Sequence, residues 1–197
     1  MAVGRYYPEG RGGAVLHSPR GGSLVQALAF WKTVTADRAG FLERLLDVLA
    51  DAGVRYCVIG GQAVNAYVEP VVSLDLDIAV AADGLSTAEA ALARSFRVER
   101  FAHSVNVSET GSDLRLQLQT DPRYSDFVAR AARRLVLGLE LPVARLDDVL
   151  QGKVWAVLDE TRRPSKRQKD LADISRLLEA YPDLRPRVPA EVLARIL

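Results

Sequence analysis

Cysteine and histidine are almost missing from this chain: one of the first and two of the second in 197 residues. A lone cysteine excludes an intramolecular disulfide, and Cys57 with His17 and His103 does not make a zinc site at this spacing. Cys57 sits in the apolar run "RYCVIGG", where it reads as a small buried hydrophobe. A strong charge of either sign is missing too. The formal net charge is +1, so the overall balance names no partner, and only local clusters can. Long apolar runs are absent, which gives no expectation of a membrane span. The start, "MAVGRYYPEGRGG", lacks a compact apolar region followed by a cleavage site, so no signal peptide is expected and the expected location is cytoplasmic.

What remains is 49% hydrophobic and 26% charged, an ordinary composition for a globular protein. The chain divides into an arm (1–36), rich in Gly, Arg and Pro up to about residue 23, a core (37–143) and a helical C-terminal region (144–197). Within the arm, "SLVQALAFW" (23–31) has the makings of a short helix. "TADRAGFLERLLDVLADAG" places Phe41, Leu42, Leu45, Leu46 and Leu49 on one helical face, with Gly53 as a stop. "VRYCVIG" reads as a buried strand, and "GQAVNAYVE" as a short helix starting at glycines and ended by Pro70. "SLDLDIAVA" alternates, with Leu74, Leu76 and Ile78 on one side and Ser73, Asp75 and Asp77 on the other. A helix "STAEAALARSF" and short strands "RVERF", "SVNVSE" and "DLRLQLQT" follow. "SDFVARAARR" reads as a helix and "LVLGLELPVA" as a strand pair or edge segment. The rest reads as a helix from Leu146 to about Glu160, a basic loop "TRRPSKRQK", a helix "DLADISRLLEAY", and a last helix near "PAEVLARIL". The expected fold class is α/β, in its α+β form: a small mixed sheet flanked by helices, with a C-terminal helical tail.

Carboxylates rarely enter apolar strands unless something pairs with them. Alternation puts Asp75 and Asp77 on one strand face, where two like charges repel unless a cation sits between them. Hard divalent cations such as Mg²⁺ take oxygen ligands and leave positions open for phosphate. Gly60-Gly61, at a strand-to-helix junction, would let a phosphate approach the backbone. Either feature alone also fits a solvent-facing edge or a plain tight turn. Together with Ser73 they form a specific constellation.

These residues, "GGQAVNAYVEPVVSLDLDIAV", resemble the first motif of the nucleotidyltransferase superfamily whose best-known member is DNA polymerase beta. The tail, "LDDVLQGKVWAVLD" followed by "RQKDLADISRLLEAYP", resembles the abortive-infection toxin branch, AbiEii/AbiGii-like. The resemblance runs in pieces from about residue 37 to 185. It implies a nucleotidyltransferase-like fold, an NTP substrate with one or two Mg²⁺ held by Asp75 and Asp77, and an RNA acceptor, tRNA in particular. It further implies a toxin role with an antitoxin protein as partner; small-molecule acceptors such as aminoglycosides use the same core. It assigns Gly60, Gly61 and Ser73 to the phosphates and places Lys153 and the group Lys169, Asp170 and Asp173 at the positions of the branch's later motifs. By residue type alone, Lys153 is equally a surface lysine with a snorkelling stem, and Asp170 and Asp173 equally an acidic helix start. The cluster Arg162, Arg163, Lys166, Arg167 and Lys169 is either a solvated loop or a landing surface for RNA phosphates. One departure stands out. The family's third carboxylate belongs on "DLRLQLQT", and Gln117 occupies its expected place, between Asp113 and Asp121. Glutamine can donate or accept a hydrogen bond but takes no proton at neutral pH. The rival expectation is therefore a protein that binds nucleotide without transferring it.

Overall fold

The computed structural model describes residues 40–196. The proposed arm and the short helix over 23–31 lie outside the described residues.

Helix α1 (Phe41–Asp51) buries Phe41, Leu42, Leu45 and Leu49 on one face, as the spacing predicts, and Gly53 follows with a positive φ of 65°. Strand β1 (Tyr56–Ile59) leads straight into α2 (Gly60–Asn65). Strand β2 (Asp75–Val80), helix α3 (Leu85–Leu92) and strands β3 (Arg97–Arg100), β4 (Ser104–Ser108) and β5 (Arg115–Gln119) follow. A 3₁₀ turn (Pro122–Tyr124) leads into α4 (Ser125–Arg130), then the hairpin β6 (Ala132–Val136) and β7 (Leu139–Val143). The tail is α5 (Leu146–Leu158), α6 (Pro164–Ala180), a 3₁₀ segment (Pro182–Arg187) and α7 (Ala190–Leu193).

The strands form one mixed sheet in the order β3-β4-β5-β2-β1-β7-β6. The pairs β2–β5 and β1–β7 are parallel and the others antiparallel. This is the expected α/β class, a seven-stranded mixed sheet flanked by helices, with C-terminal helices. The tail shares the core: Leu150, Val154, Val157, Ile174 and Leu177 belong to the same buried cluster as Val58, Leu76 and Ile78. Cys57 is fully buried in it, and burial pushes its thiol up to about 12, with nearby Asp148 adding to the shift. Among the described residues no helix is long and apolar enough to cross a membrane.

Four local expectations are corrected. The helix at Gly60 ends at Asn65 rather than reaching Glu69. The helix read over "SDFVARAARR" stops at Arg130, and residues 132–136 pair with β7 as an edge strand around a turn in which Leu137 and Gly138 both have positive φ. Propensity favours a helix for Ala-Ala-Arg-Arg, but pairing with β7 overrides it. The basic stretch 161–169 is not all loop: α6 begins at Pro164, whose fixed φ suits the first helical position. Leu74 precedes the strand and is exposed, unlike Leu76 and Ile78.

Candidate active site

The site is built on one face of the sheet. Period-two alternation aims Asp75 and Asp77 to the side opposite Leu76 and Ile78. Asp77 is in register with Ile59 on one side and Gln117 on the other. These residues line an open cleft whose helical wall includes Gly152, Lys153, Arg162, Lys166, Lys169 and Asp170 from the α5–α6 region. Gln117 therefore stands directly beside Asp77.

Gly60 explains why a glycine begins α2. Its φ is +64°, and a Cβ there would lie 2.1 Å from Asp77 Oδ2. The turn and the carboxylate occupy adjoining space, so no larger residue fits. At Gly61 a Cβ would lie 3.8 Å from both Lys169 Nζ and Ser73 Oγ, an ordinary contact that marks how closely these groups gather. Lys169 Nζ lies 3.5 Å from Ser73 Oγ. Ser73 is held before β2 by its neighbours: Gln62 Nε2 donates to its carbonyl at 2.9 Å, and Asn65 ties Val71 with bonds of 2.7 and 3.0 Å.

Lys153, buried in α5, is neither solvent-exposed nor snorkelling. Its ammonium lies 2.9 Å from Asp170 Oδ1 and 2.7 Å from Asp173 Oδ2. Arg162 donates to the other oxygen of Asp170 at 2.6 Å, and Arg176 to Asp173 at 2.8 Å. Burial alone would depress the Lys153 pKa, but the two carboxylates outweigh it and hold the ammonium above its usual range. Asp77 is shifted the other way. Burial first, and then Asp75, push its carboxyl above the usual carboxylate range, against the pull of Lys153, Lys169 and Lys166.

The basic run splits in the structure. Arg162 serves Asp170, Lys166 Nζ sits 3.6 Å from Asp75 Oδ2, and Lys169 reaches Ser73. Arg163 and Arg167 are not among the cleft-lining residues. Every site residue read from the sequence thus gathers around one cleft: Gly60, Gly61, Asp75, Asp77, Gln117, Lys153, Lys169 and Asp170 line it, with Ser73 and Asp173 one contact behind.

Sequence reasoning missed further residues of the lining. Asp148, buried in the first turn of α5, takes a two-pronged contact from Arg130 at 2.8 and 3.1 Å. Tyr124 and Phe127 meet edge to face at 5.2 Å, and burial pushes the Tyr124 phenol up to about 12. Gly152, inside α5, is the one hint in sequence: a Cβ there would come within 3.1 Å of Tyr124 Cε1.

No family model matches this chain, and no curated protein matches it. Among solved structures it is similar to the antibiotic-resistance factor ANT(2'')-Ia, at 14% identity over 74% of this chain and 90% of that one, with a TM-score of 0.48. It is similar also to the lincosamide antibiotic adenylyltransferase LnuA in its lincomycin-bound form, at 12% identity over 69% and 95% of the two chains, TM-score 0.47. A third likeness is to an antigenic nucleotidyltransferase-like protein from Paracoccidioides brasiliensis, at 18% identity over 76% and 75%, TM-score 0.46. At these scores the likenesses say nothing of chemistry. The side chains of the cleft must carry that.

The donors do suit a hard divalent cation. Asp75 and Asp77 share a face, and Gln117 offers a neutral amide oxygen beside them. Among the described residues no group of three or more His, Cys, Asp or Glu gathers for a metal, so protein ligation would rest on two carboxylates and leave positions for a ligand's oxygens.

Proposed function

We propose that this protein is a nucleotidyltransferase that moves a nucleoside monophosphate from an NTP to an acceptor hydroxyl. The observation that carries the reading is the Asp75–Asp77 pair set against the Gly60 turn, with the lysines of α6 facing it across the cleft. A pair of neighbouring carboxylates backed by cationic side chains is what a metal-bridged triphosphate requires.

Asp75 and Asp77 would hold Mg²⁺, one ion or two, with Gln117 as a further oxygen donor. When bound, the metal offsets triphosphate charge and polarises the phosphoryl oxygens. The protein's own groups bind and orient. Lys169 and Ser73 stand beside the Gly60-Gly61 turn, where phosphate oxygens can approach a backbone that carries no side chain. The helix starting there has six residues, so its dipole adds little and the lysines matter more. Lys153 has spent two contacts on Asp170 and Asp173, and its third N–H can reach a β or γ oxygen at the cleft wall. The acceptor class proposed is RNA, tRNA first, in a toxin paired with an antitoxin protein and acting in the cytoplasm, on the resemblance of the Lys169-Asp170 to Asp173 motif. A small-molecule acceptor of the aminoglycoside type is the competing substrate.

Gln117 favours a second reading, nucleotide binding without transfer. It stands beside Asp77, where the resemblance would put the base that draws the proton from the acceptor hydroxyl. The other carboxylates lining the cleft are engaged: Asp148 by Arg130, Asp170 by Lys153 and Arg162. Incubation with each labelled NTP, Mg²⁺ and either total RNA or aminoglycosides separates the readings. Label on RNA, lost in Asp75→Ala/Asp77→Ala, supports the toxin-type transferase; label on the aminoglycoside alone moves the acceptor class. Metal-dependent NTP binding with no transfer to any acceptor supports the second reading. Label that survives loss of both aspartates would sink the site.

A further inference from the structure

Two kinds of lysine face the carboxylates of this cleft. Lys153 is fixed by short contacts of 2.9 and 2.7 Å in a buried cluster. Lys166 is not. Its Nζ stands 3.6 Å from Asp75 Oδ2, outside hydrogen-bond distance, and the two side chains are 42% and 36% exposed. The backbone beneath Lys166 is nevertheless firmly placed. Asp170 and Asp173, one and two turns further along α6, are pinned to α5 through Lys153, and Arg176 ties Asp173 and Asn65. A fixed stem thus carries a loosely held ammonium beside one of the two carboxylates, at the mouth of the phosphate cradle.

We infer that Lys166 is a resident counter-ion that competes with a divalent cation for Asp75 in the free protein and transfers its charge to the triphosphate when the two ligands arrive together. The inference rests on the reading of the cleft as a metal–triphosphate site. An ammonium this close to Asp75 lowers the site's affinity for a free cation. Once phosphate oxygens lie within its reach, the same ammonium gains a partner, and Asp75 is released to the metal. Metal and triphosphate binding are then coupled, and by linkage each raises the affinity of the other by the same factor. Lys169 stands differently: it reaches the Ser73 hydroxyl at 3.5 Å and acts on Asp77 only through space, whereas Lys166 pairs with Asp75.

The test is calorimetric titration of the full chain with Mn²⁺ alone, with inorganic tripolyphosphate alone, and with the two together, for wild type, Lys166→Met, Lys166→Arg and Asp75→Asn. Lys166→Met should bind Mn²⁺ alone more tightly, by roughly three- to tenfold. It should bind Mn²⁺–tripolyphosphate more weakly than wild type, so the coupling factor falls toward one. Lys166→Arg should keep much of the coupling. Because Lys166 is partly exposed and outside the buried cluster, the melting temperature of Lys166→Met should stay close to wild type. If Lys166→Met weakens Mn²⁺ alone, or leaves both affinities unchanged, the inference is overturned while the metal site stands. If wild type and Asp75→Asn bind Mn²⁺–tripolyphosphate alike, or wild type binds neither ligand, the metal–triphosphate reading itself fails and takes the inference with it.

Discussion

Two residues on opposite sides of Asp77 set what the site can do. Gly60 decides whether the carboxylate has room, and Gln117 decides what stands beside it. Both were legible in the sequence, for different reasons. Gly-Gly before a short helix signals a close approach, and the resemblance pointed to Gln117 as the place of a third carboxylate, which the β2–β5 pairing puts in register with Asp77. The pairings of Lys166 with Asp75 and of Arg130 with Asp148 were not legible, because they join residues far apart in sequence through the packing of helices on the sheet. Gly60→Ala tests the first residue. Its Cβ would enter the Asp77 carboxyl and its φ would remain strained, at about 1–2 kcal/mol for the backbone alone. Gly60→Ala is therefore expected to lower stability in urea unfolding by at least that amount and to abolish metal-dependent NTP binding. Gly61→Ala, whose Cβ meets only ordinary contacts, should fold and bind far better. Equal behaviour of the two variants would remove the special role of Gly60.

At the level of elements, α5 carries a contradiction that only packing resolves. A glycine in a helix interior usually costs about 1 kcal/mol against alanine, so Gly152→Ala should stabilise an isolated helix. Here the Tyr124 ring lies across that position, and the Tyr124 hydroxyl donates to the Gly152 carbonyl at 3.3 Å. The glycine lets the turn before α4 press onto α5, next to Lys153. The sequence marked α5 as a helix from its apolar residues but gave no sign of what would cover its glycine, because Tyr124 arrives from a turn that follows β5. It likewise marked Pro164 as part of a loop, although proline at a first helical position is a start signal, and it extended α4 over a strand that is exposed except at Val136. Edge strands carry the weakest pattern, since one partner strand rather than burial fixes them. Gly152→Ala should lower the melting temperature instead of raising it, and Tyr124→Ala/Gly152→Ala should recover the alanine's helical gain relative to Tyr124→Ala alone. A stabilised Gly152→Ala single variant would show that Tyr124 yields without cost.

Across the whole molecule, the tail is joined to the sheet by apolar packing, and its two long helices, α5 and α6, are joined to each other by a buried ionic cluster. The cluster uses Lys153 as its hub, with Asp170, Asp173, Arg162 and Arg176 around it. A hub of this kind is costly to desolvate, and its return lies in fixing how α6, and so Lys166 and Lys169, faces the carboxylates of β2. Removing the hub is the sharpest global test. Lys153→Met would leave two carboxylates buried beside an apolar side chain, which typically costs about 3–5 kcal/mol; Arg162 and Arg176 keep the expected loss near the lower end. Replacing the carboxylates as well, in Lys153→Met/Asp170→Asn/Asp173→Asn, should restore part of that stability, because no charge is then left without its hub. The pH dependence has a defined sign. The Lys153 pKa is raised on folding, so its contribution is complete below the ordinary lysine pKa and is lost as pH climbs through the raised value. Wild type should therefore lose stability on the alkaline side more steeply than Lys153→Met, with the two curves parallel near neutrality. Curves that stay parallel into the alkaline range would mean that the ammonium is not what holds α5 to α6, and that apolar contacts such as Val154 and Ile174 orient the phosphate-facing lysines without it.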